Sequence, residues 1–212
     1  MKSKRSKILA EAINLFWIAL FIAGITVLMR YENGAGVPAI APVDWPVASR
    51  IPRPADRATL IVFVHPHCPC SRATINELAR LMASTEDRLA THVIFIKPEG
   101  VSSNWEKTDT WTNAAAIPGV TVIRDDQGLE SELFGAQTSG QSMLFSKEGK
   151  LLFKGGITIA RGQEGYSAGA TAIAALVNNE PAPLAETNVF GCPLFAYDPY
   201  CRGKKESPHA GP

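Results

Sequence analysis

The sequence predicts an α/β domain, a central mixed sheet flanked by helices, carried behind one N-terminal transmembrane helix. Three observations predict it. An apolar run from Ala12 to Met29 follows a cluster of Lys and Arg. A second apolar run, Thr59 to Val64, gives way through His65-Pro-His-Cys-Pro-Cys-Ser71 to a helical pattern. Two later apolar segments flank a turn at Glu148-Gly149, which suits an antiparallel hairpin.

Lys2, Lys4, Arg5 and Lys7 precede the first run, and Arg30 closes it. At ~1.5 Å per residue the run spans roughly 27 Å, close to the ~30 Å hydrocarbon core. Leading positive charge keeps residues 1–11 in the cytoplasm and sends everything after the 12–30 anchor to the far face. Trp17 and Tyr31 suit the two interfaces. A cleaved signal peptide is the competing reading; Ala39-Ile-Ala41 has the small-residue form, but Pro42 follows it and the site lies well beyond the apolar run. No cysteine closes the run, so a lipid-modified cysteine is not expected. Either outcome exports the domain and permits disulfides among Cys68, Cys70, Cys192 and Cys201, which can pair in three ways.

Residues 31–57 carry Pro38, Pro42, Pro46, Pro52 and Pro54 and read as an extended tether, with one short edge strand near Val43 to Val47. The domain proper is expected over 58–180. Its first strand leads to a helix from Ser71 to Met82, where Ile75, Leu78, Ala79 and Met82 form one face, and then to a strand at Val93 to Ile96. Ser103 and Glu106 have capping-box spacing for a helical segment carrying Trp105 and Trp111, both read as packing residues, and ending at Pro118-Gly119. Val120 to Ile123 is a third strand, followed by an Asp125-Asp-Gln-Gly128 turn and an amphipathic piece to Phe134-Gly135. The hairpin pairs Ser142 to Phe145 with Leu151 to Lys154. Gly155 to Gly165 reads as a surface loop without phosphate-cradling spacing, and Arg161 in it as a surface arginine. Tyr166 to Asn178 is a closing helix, and 181–212 a Cys- and Pro-containing tail.

The composition is ordinary for a globular chain: 46% of the 212 residues are hydrophobic, 19% are charged, and 21 Lys and Arg are balanced by 20 Asp and Glu. That balance leaves no basic surface to neutralise phosphates, which argues against nucleic acid as a partner.

Chemistry concentrates at the strand-to-helix junction. A helix N-terminus offers unpaired N–H groups and the positive end of the macrodipole, which stabilise a thiolate, so Cys68 is a candidate nucleophile. It would attack a disulfide and form a mixed disulfide that a second thiol resolves. Cys70 is the nearest second thiol; a Cys-x-Cys bridge closes a small strained ring and should be easily reduced. Cys192, in Gly191-Cys-Pro-Leu-Phe195, is another partner if that segment folds back onto the domain. Alternatively Cys192 and Cys201 bridge each other, closing a tail loop worth on the order of 2–3 kcal/mol. A protonated His65 or His67 would lower the thiol pKa and shuttle a proton. Ser71 is expected to cap the helix, with a hydrogen bond to the thiolate as its second use.

The element order, a parallel strand, helix, strand unit followed by a helical segment, an antiparallel hairpin and a closing helix, is that of the thioredoxin fold. Phe63 stands five residues before Cys68, with Ile75 and Leu78 seven and ten after it. This register resembles the Phe-Trp-x-x-Trp-Cys-x-x-Cys segment of membrane-anchored TlpA/ResA-type thioredoxin-like proteins, and Phe134 to Phe153 resembles that family's approach to its hairpin. More narrowly, His65-Pro-His-Cys-Pro-Cys-Ser71, Thr138-Ser-Gly140, Gly155-Gly-Ile-Thr158 and Gly191-Cys-Pro-Leu-Phe195 resemble an exported group labelled RedB-like. The sequence departs from the family at two points. Ser71 stands where the family has its second cysteine, and in the loop Ser139-Gly140 glycine stands where the family has a cis-proline.

The resemblance implies a thiol–disulfide oxidoreductase in the bacterial inner membrane, single-pass, with its domain on the periplasmic side. Its partners would be protein or small-molecule thiols and disulfides, and it would need no cofactor. Two other readings stay open. Cys68 and Cys70 with an imidazole from His65 or His67 would suit Cu(I), as in Sco-like copper proteins, although those place their cysteines four apart and add a distant histidine. A redox-inactive interaction module is the third, for which the absent cis-proline argues. The peroxiredoxin pattern Pro-x-x-x-Thr-x-x-Cys does not precede Cys68.

Overall fold

The structure is a computed structural model that describes residues 2–85 and 88–195. The chain divides into two compact units, 1–34 and 35–212.

The first unit is helix α1, Lys2–Glu32. Over Lys7–Glu32 it is long and apolar enough to cross a membrane, and its side chains there are almost all exposed. Thr26 donates its hydroxyl to the Ile22 carbonyl at 2.8 Å, which satisfies a polar group within the apolar stretch. The helix continues past Arg30, two residues beyond the expected end.

In the second unit the elements run β1 (Ala58–Val64), α2 (Ser71–Thr85), β2 (Leu89–Lys97), α3 (Asp109–Ala115), β3 (Val120–Asp126), α4 (Leu129–Leu133), β4 (Gln141–Phe145), β5 (Leu151–Gly155) and α5 (Ala168–Val177). The sheet order is β3-β2-β1-β4-β5, with β1, β2 and β3 parallel and β4 and β5 antiparallel to their neighbours. A parallel β1-α2-β2 unit, a β4-β5 hairpin on the other side of β1 and a closing helix make this a thioredoxin-like fold, as expected.

β1 is central and buried on both faces, so successive residues feed two separate cores. Leu60, Val62 and Val64 pack with Ile75, Leu78 and Leu81 of α2 and with Ala172 and Ile173 of α5. Ile61 and Phe63 pack with Ile94, Met143, Phe145 and Phe134 on the opposite face. There the covering layer is largely the stretch read as a tether. Ala39 and Ile51 are buried in it, and Trp45 stacks edge-on against Phe134 and Phe145, with ring centroids 5.1 and 5.2 Å apart. Ser49 Oγ and the Arg50 N–H donate to the Glu130 carboxylate at 2.7 and 2.8 Å. The Pro-rich stretch from residue 35 is therefore part of the domain, and its expected edge strand shrinks to one bridge between Asp44 and Lys150. The physical reason is the absence of alternation in Leu60-Ile-Val-Phe-Val64: a strand apolar on both faces needs a second cover.

The start of the tail is likewise integrated. Lys154 N–H donates to the Ala185 carbonyl (3.1 Å), Thr187 N–H to Lys154 (3.2 Å) and Gly156 N–H to Asn188 (3.2 Å). Residues 185–194 thus run as a strap along the domain, with Val189 and Leu194 buried.

Two local expectations are corrected. The Ser103/Glu106 capping box does not form: α3 starts only at Asp109 with Thr108 at its N-cap, and Glu106 is instead buried against Lys97 Nζ at 3.2 Å. The Gly-rich stretch is not wholly surface, since Ile157 is fully buried in the first core.

Phe134 touches Phe63, Trp45 and Phe145 and closes the second core. Phe134→Ala is expected to cost about 3–5 kcal/mol in denaturant unfolding, the usual range for emptying a buried aromatic site. A loss below about 1 kcal/mol would show that the second face is loosely covered.

Candidate functional site

β1 leaves the sheet at Val64 and delivers His65 to Cys70 to the start of α2. The turn is held by its own backbone: Cys68 N–H donates to the His65 carbonyl (3.0 Å) and Ser71 N–H to the Cys68 carbonyl (3.1 Å). Thr74 N–H then reaches the Cys70 carbonyl at 3.5 Å, which opens the helix.

The loop Thr138-Ser139-Gly140 lies beside this turn. Gly140 N–H donates to the Phe63 carbonyl (2.8 Å), and His65 N–H donates to Ser139 Oγ (2.9 Å). Gly140 has φ +92°, which a side chain disfavours, and among the described residues there is no cis peptide bond. Ser71 does not cap α2 with its side chain. Its hydroxyl lies 2.9 Å from Ser139 Oγ and has the His65 carbonyl (3.3 Å) and the Cys68 sulfur as acceptors.

The strap supplies the third side. Ser139 N–H donates to the Cys192 carbonyl and Leu194 N–H to the Gln137 carbonyl, both at 2.8 Å, with an antiparallel bridge between Thr138 and Pro193. Gly191 makes this approach possible, because a Cβ there would sit 1.9 Å from the Ser139 carbonyl oxygen. The result is a buried cluster of Cys68, Cys70 and Cys192, with Cys68 only 2% exposed, Cys70 8% and Cys192 7%. Cys68 and Cys70 are free thiols. Cys201 lies outside the described residues.

A buried thiolate needs donors, and here they converge on Cys68. Hydrogen bonds from the Cys192 and Cys70 thiols hold Cys68 far below the ordinary thiol range against the opposing effect of burial. The Cys192 N–H, 3.4 Å from the sulfur, and the Ser71 hydroxyl add to this. At Cys70 the Cys192 thiol pulls downward, but the bond to Cys68, burial and the Cys68 charge together push the thiol up. One sulfur of the cluster is thus the anion and Cys70 a protonated donor.

The histidines do not play the expected electrostatic part at His65. Burial holds its imidazole below the usual range, outweighing the Cys68 charge, and His67 works in the same direction as burial. His65 is neutral near pH 7, and its Nδ1 accepts the His67 N–H at 3.2 Å. His67 Nε2 donates to the Trp105 carbonyl at 3.0 Å, and both rings pack on Trp105, with centroids 5.3 and 4.6 Å away. His67 is thereby turned to Trp105. Among the described residues no group of three or more His, Cys, Asp or Glu is placed to hold a metal ion.

Sequence reasoning missed one residue. Arg161, read as a surface arginine, donates from its guanidinium to the Gly191 carbonyl at 2.6 Å, and its charge reaches Cys70. Nothing in the local sequence signalled this, because the contact spans thirty residues.

Cys68 is reached from outside through a depression of about 370 Å³ lined by Pro66, His67, Cys68, Pro69, Arg72 and Thr108 to Thr110. Neither Cys70 nor Cys192 lines it.

No protein-family model and no curated protein matches the chain. Solved structures do resemble it. An uncharacterized conserved protein from Geobacillus kaustophilus is 18% identical over 77% of this chain and 98% of its own, with TM-score 0.58. A hypothetical protein from Sinorhizobium meliloti 1021 is 15% identical over 77% and 97%, with TM-score 0.56. These two share the fold. The pneumococcal exposed lipoprotein thioredoxin of Streptococcus pneumoniae lies further off, at 14% identity over 59% and 86%, with TM-score 0.44.

The depressed Cys68 pKa has two expected consequences. Thiolate ultraviolet absorbance should persist in the folded protein well below pH ~8.5, where an ordinary cysteine protonates, and should vanish in Cys68→Ser. Because the folded pKa lies below the unfolded one, Cys68 contributes stability in full above the unfolded pKa and loses it as pH falls toward the folded value. Wild type should therefore lose more stability than Cys68→Ser between pH ~9 and ~5 in denaturant titrations. Equal losses would mean the sulfur is not held ionised.

Proposed function

We propose that the protein is a membrane-tethered thiol–disulfide oxidoreductase in which Cys68 is the attacking thiolate. The observation that supports it best is the convergence on Cys68 Sγ of the Cys70 and Cys192 thiols and the Cys192 N–H, on a residue that also lines a surface depression. A stabilised thiolate beside a surface depression, with a second thiol in contact, has what an exchange reaction requires.

In the proposed reaction a disulfide R–S–S–R′ enters the depression and Cys68 attacks one sulfur, expelling R′S⁻. A neighbouring thiol then attacks Cys68, releasing the second half as a thiol and leaving a protein disulfide. Two electrons pass from the protein to the substrate, and an external dithiol restores the pair. No cofactor takes part. Protein or small-molecule thiols and disulfides would be the partners. α1 would anchor the protein in the bacterial inner membrane with the domain on the periplasmic side, where disulfides persist.

The copper reading finds less support, because His67 Nε2 is turned to the Trp105 carbonyl. The interaction-module reading leaves a sulfur with four converging donors without a use.

Cys68→Ala should reduce insulin or glutathione-disulfide turnover to background while the protein remains folded by circular dichroism. Retained turnover would exclude Cys68 as the attacking group, and an inactive wild type that binds Cu(I) tightly would favour the copper reading.

A further inference from the structure

We propose that the resolving thiol is Cys192, carried by the strap and positioned by Arg161, so that the working disulfide is Cys68–Cys192 and not a bridge within the Cys-Pro-Cys turn. This inference rests on the exchange reading and deepens it.

Three independent features carry it. The first is anchoring: the strap is hydrogen-bonded on both sides of Cys192, by Ser139 N–H to the Cys192 carbonyl, Leu194 N–H to Gln137, Arg161 to the Gly191 carbonyl and Gly36 N–H to the Val189 carbonyl. None of these bonds involves a sulfur, so Cys192 is held against Cys68 whatever the redox state. The second is ring size. Cys68 and Cys70 are separated by one proline whose φ is locked, and a bridge between them closes a small ring far from relaxed disulfide geometry. Cys192 arrives on a separate strand, 124 residues on, and meets no such constraint. The third is access. Cys68 lines the depression and Cys192 does not, so a disulfide entering there meets the attacker first.

The exchange balances on these groups. Cys68 S⁻ attacks R–S–S–R′ to form Cys68–S–S–R, and the leaving R′S⁻ takes the Cys192 thiol proton. Cys192 S⁻ attacks the Cys68 sulfur and expels RS⁻, closing Cys68–S–S–Cys192. The products are RS⁻ and R′SH, with one disulfide reduced and one formed. Cys70 stays a thiol throughout and serves as a hydrogen-bond donor to Cys68. Arg161 is a positioning residue: it holds the Gly191 carbonyl one residue before the resolver.

The test uses the full chain in detergent, reduced and then mixed with glutathione disulfide, with cysteine pairs mapped by mass. Cys70→Ser should proceed to a Cys68–Cys192 bridge with no adduct remaining. Cys192→Ser should stop with one glutathione on Cys68. A Cys68–Cys70 bridge in Cys192→Ser together with a stalled Cys70→Ser would overturn the assignment, as would a Cys192–Cys201 bridge in oxidised wild type. If no variant acquires glutathione on Cys68, the exchange reading itself falls, a different result from a misassigned resolver. Arg161→Ala should slow adduct resolution roughly tenfold, the loss of one charge-assisted hydrogen bond, while leaving adduct formation unchanged. Arg161→Lys should restore part of the rate. Equal slowing of both steps, or of neither, would remove Arg161 from the assignment.

Discussion

A sulfur sealed from water can stay ionised only if the protein replaces the lost hydration with its own donors, and that requirement organises this site. At Cys68 the donors come from two stretches far apart in the chain: Cys70 and Ser71 from the turn into α2, and Cys192 from the strap. The loop at Ser139 fastens the other two, accepting from His65 N–H on one side and donating its own N–H to the Cys192 carbonyl on the other. Remove the strap and Cys68 loses its largest stabilising contact and its neighbour together. The first N–H of α2, that of Ser71, goes to the Cys68 carbonyl and not to the sulfur.

The same dependence on distant segments runs through the fold. β1 is apolar along its whole length and lies in the middle of the sheet, so it cannot be stable with one face wet. α2 and α5 cover one face, and residues 39–51 with Phe134 cover the other. What composition marks as linker is therefore structural layer. Prolines at 42, 46 and 52 suit it, because the stretch meets the sheet's ladder only around the Asp44–Lys150 bridge and elsewhere needs few N–H donors.

Most of the fold was legible from local pattern. Short apolar runs bounded by turn residues located the five strands to within a few residues, helical spacing located α2, and Glu148-Gly149 marked the hairpin. The signals that failed were those requiring a partner. Ser103 and Glu106 have capping spacing, yet Glu106 is drawn to Lys97, where a buried ion pair outcompetes an exposed cap. In the site, the clustering of Cys68 and Cys70 at a strand end was visible, and Cys192 was visible as one alternative. Its choice of neighbour was not, because no spacing rule links residues 68 and 192. His65 misled for a related reason: its charge depends on how deeply the neighbouring loops bury it, which local sequence does not reveal. Gly191 was a usable clue, since only glycine permits the strap to lie against the Ser139 carbonyl.

The serine at position 71 joins these observations. In the resembling family a cysteine one helical turn after the nucleophile is the natural second thiol, and here that place holds a hydroxyl bonded to Ser139. A second thiol in the helix would make the redox pair a local property of one turn. Placing it on the strap instead makes the proposed pair a contact between the two ends of the domain, with Arg161 and Ser139 setting how closely they meet. The bonds that hold the strap run through backbone carbonyls and N–H groups, not through sulfur. In the proposed exchange, oxidation and reduction at Cys68 would then leave the cover fastened, which reconciles a deeply buried thiol with a reaction that has to cycle.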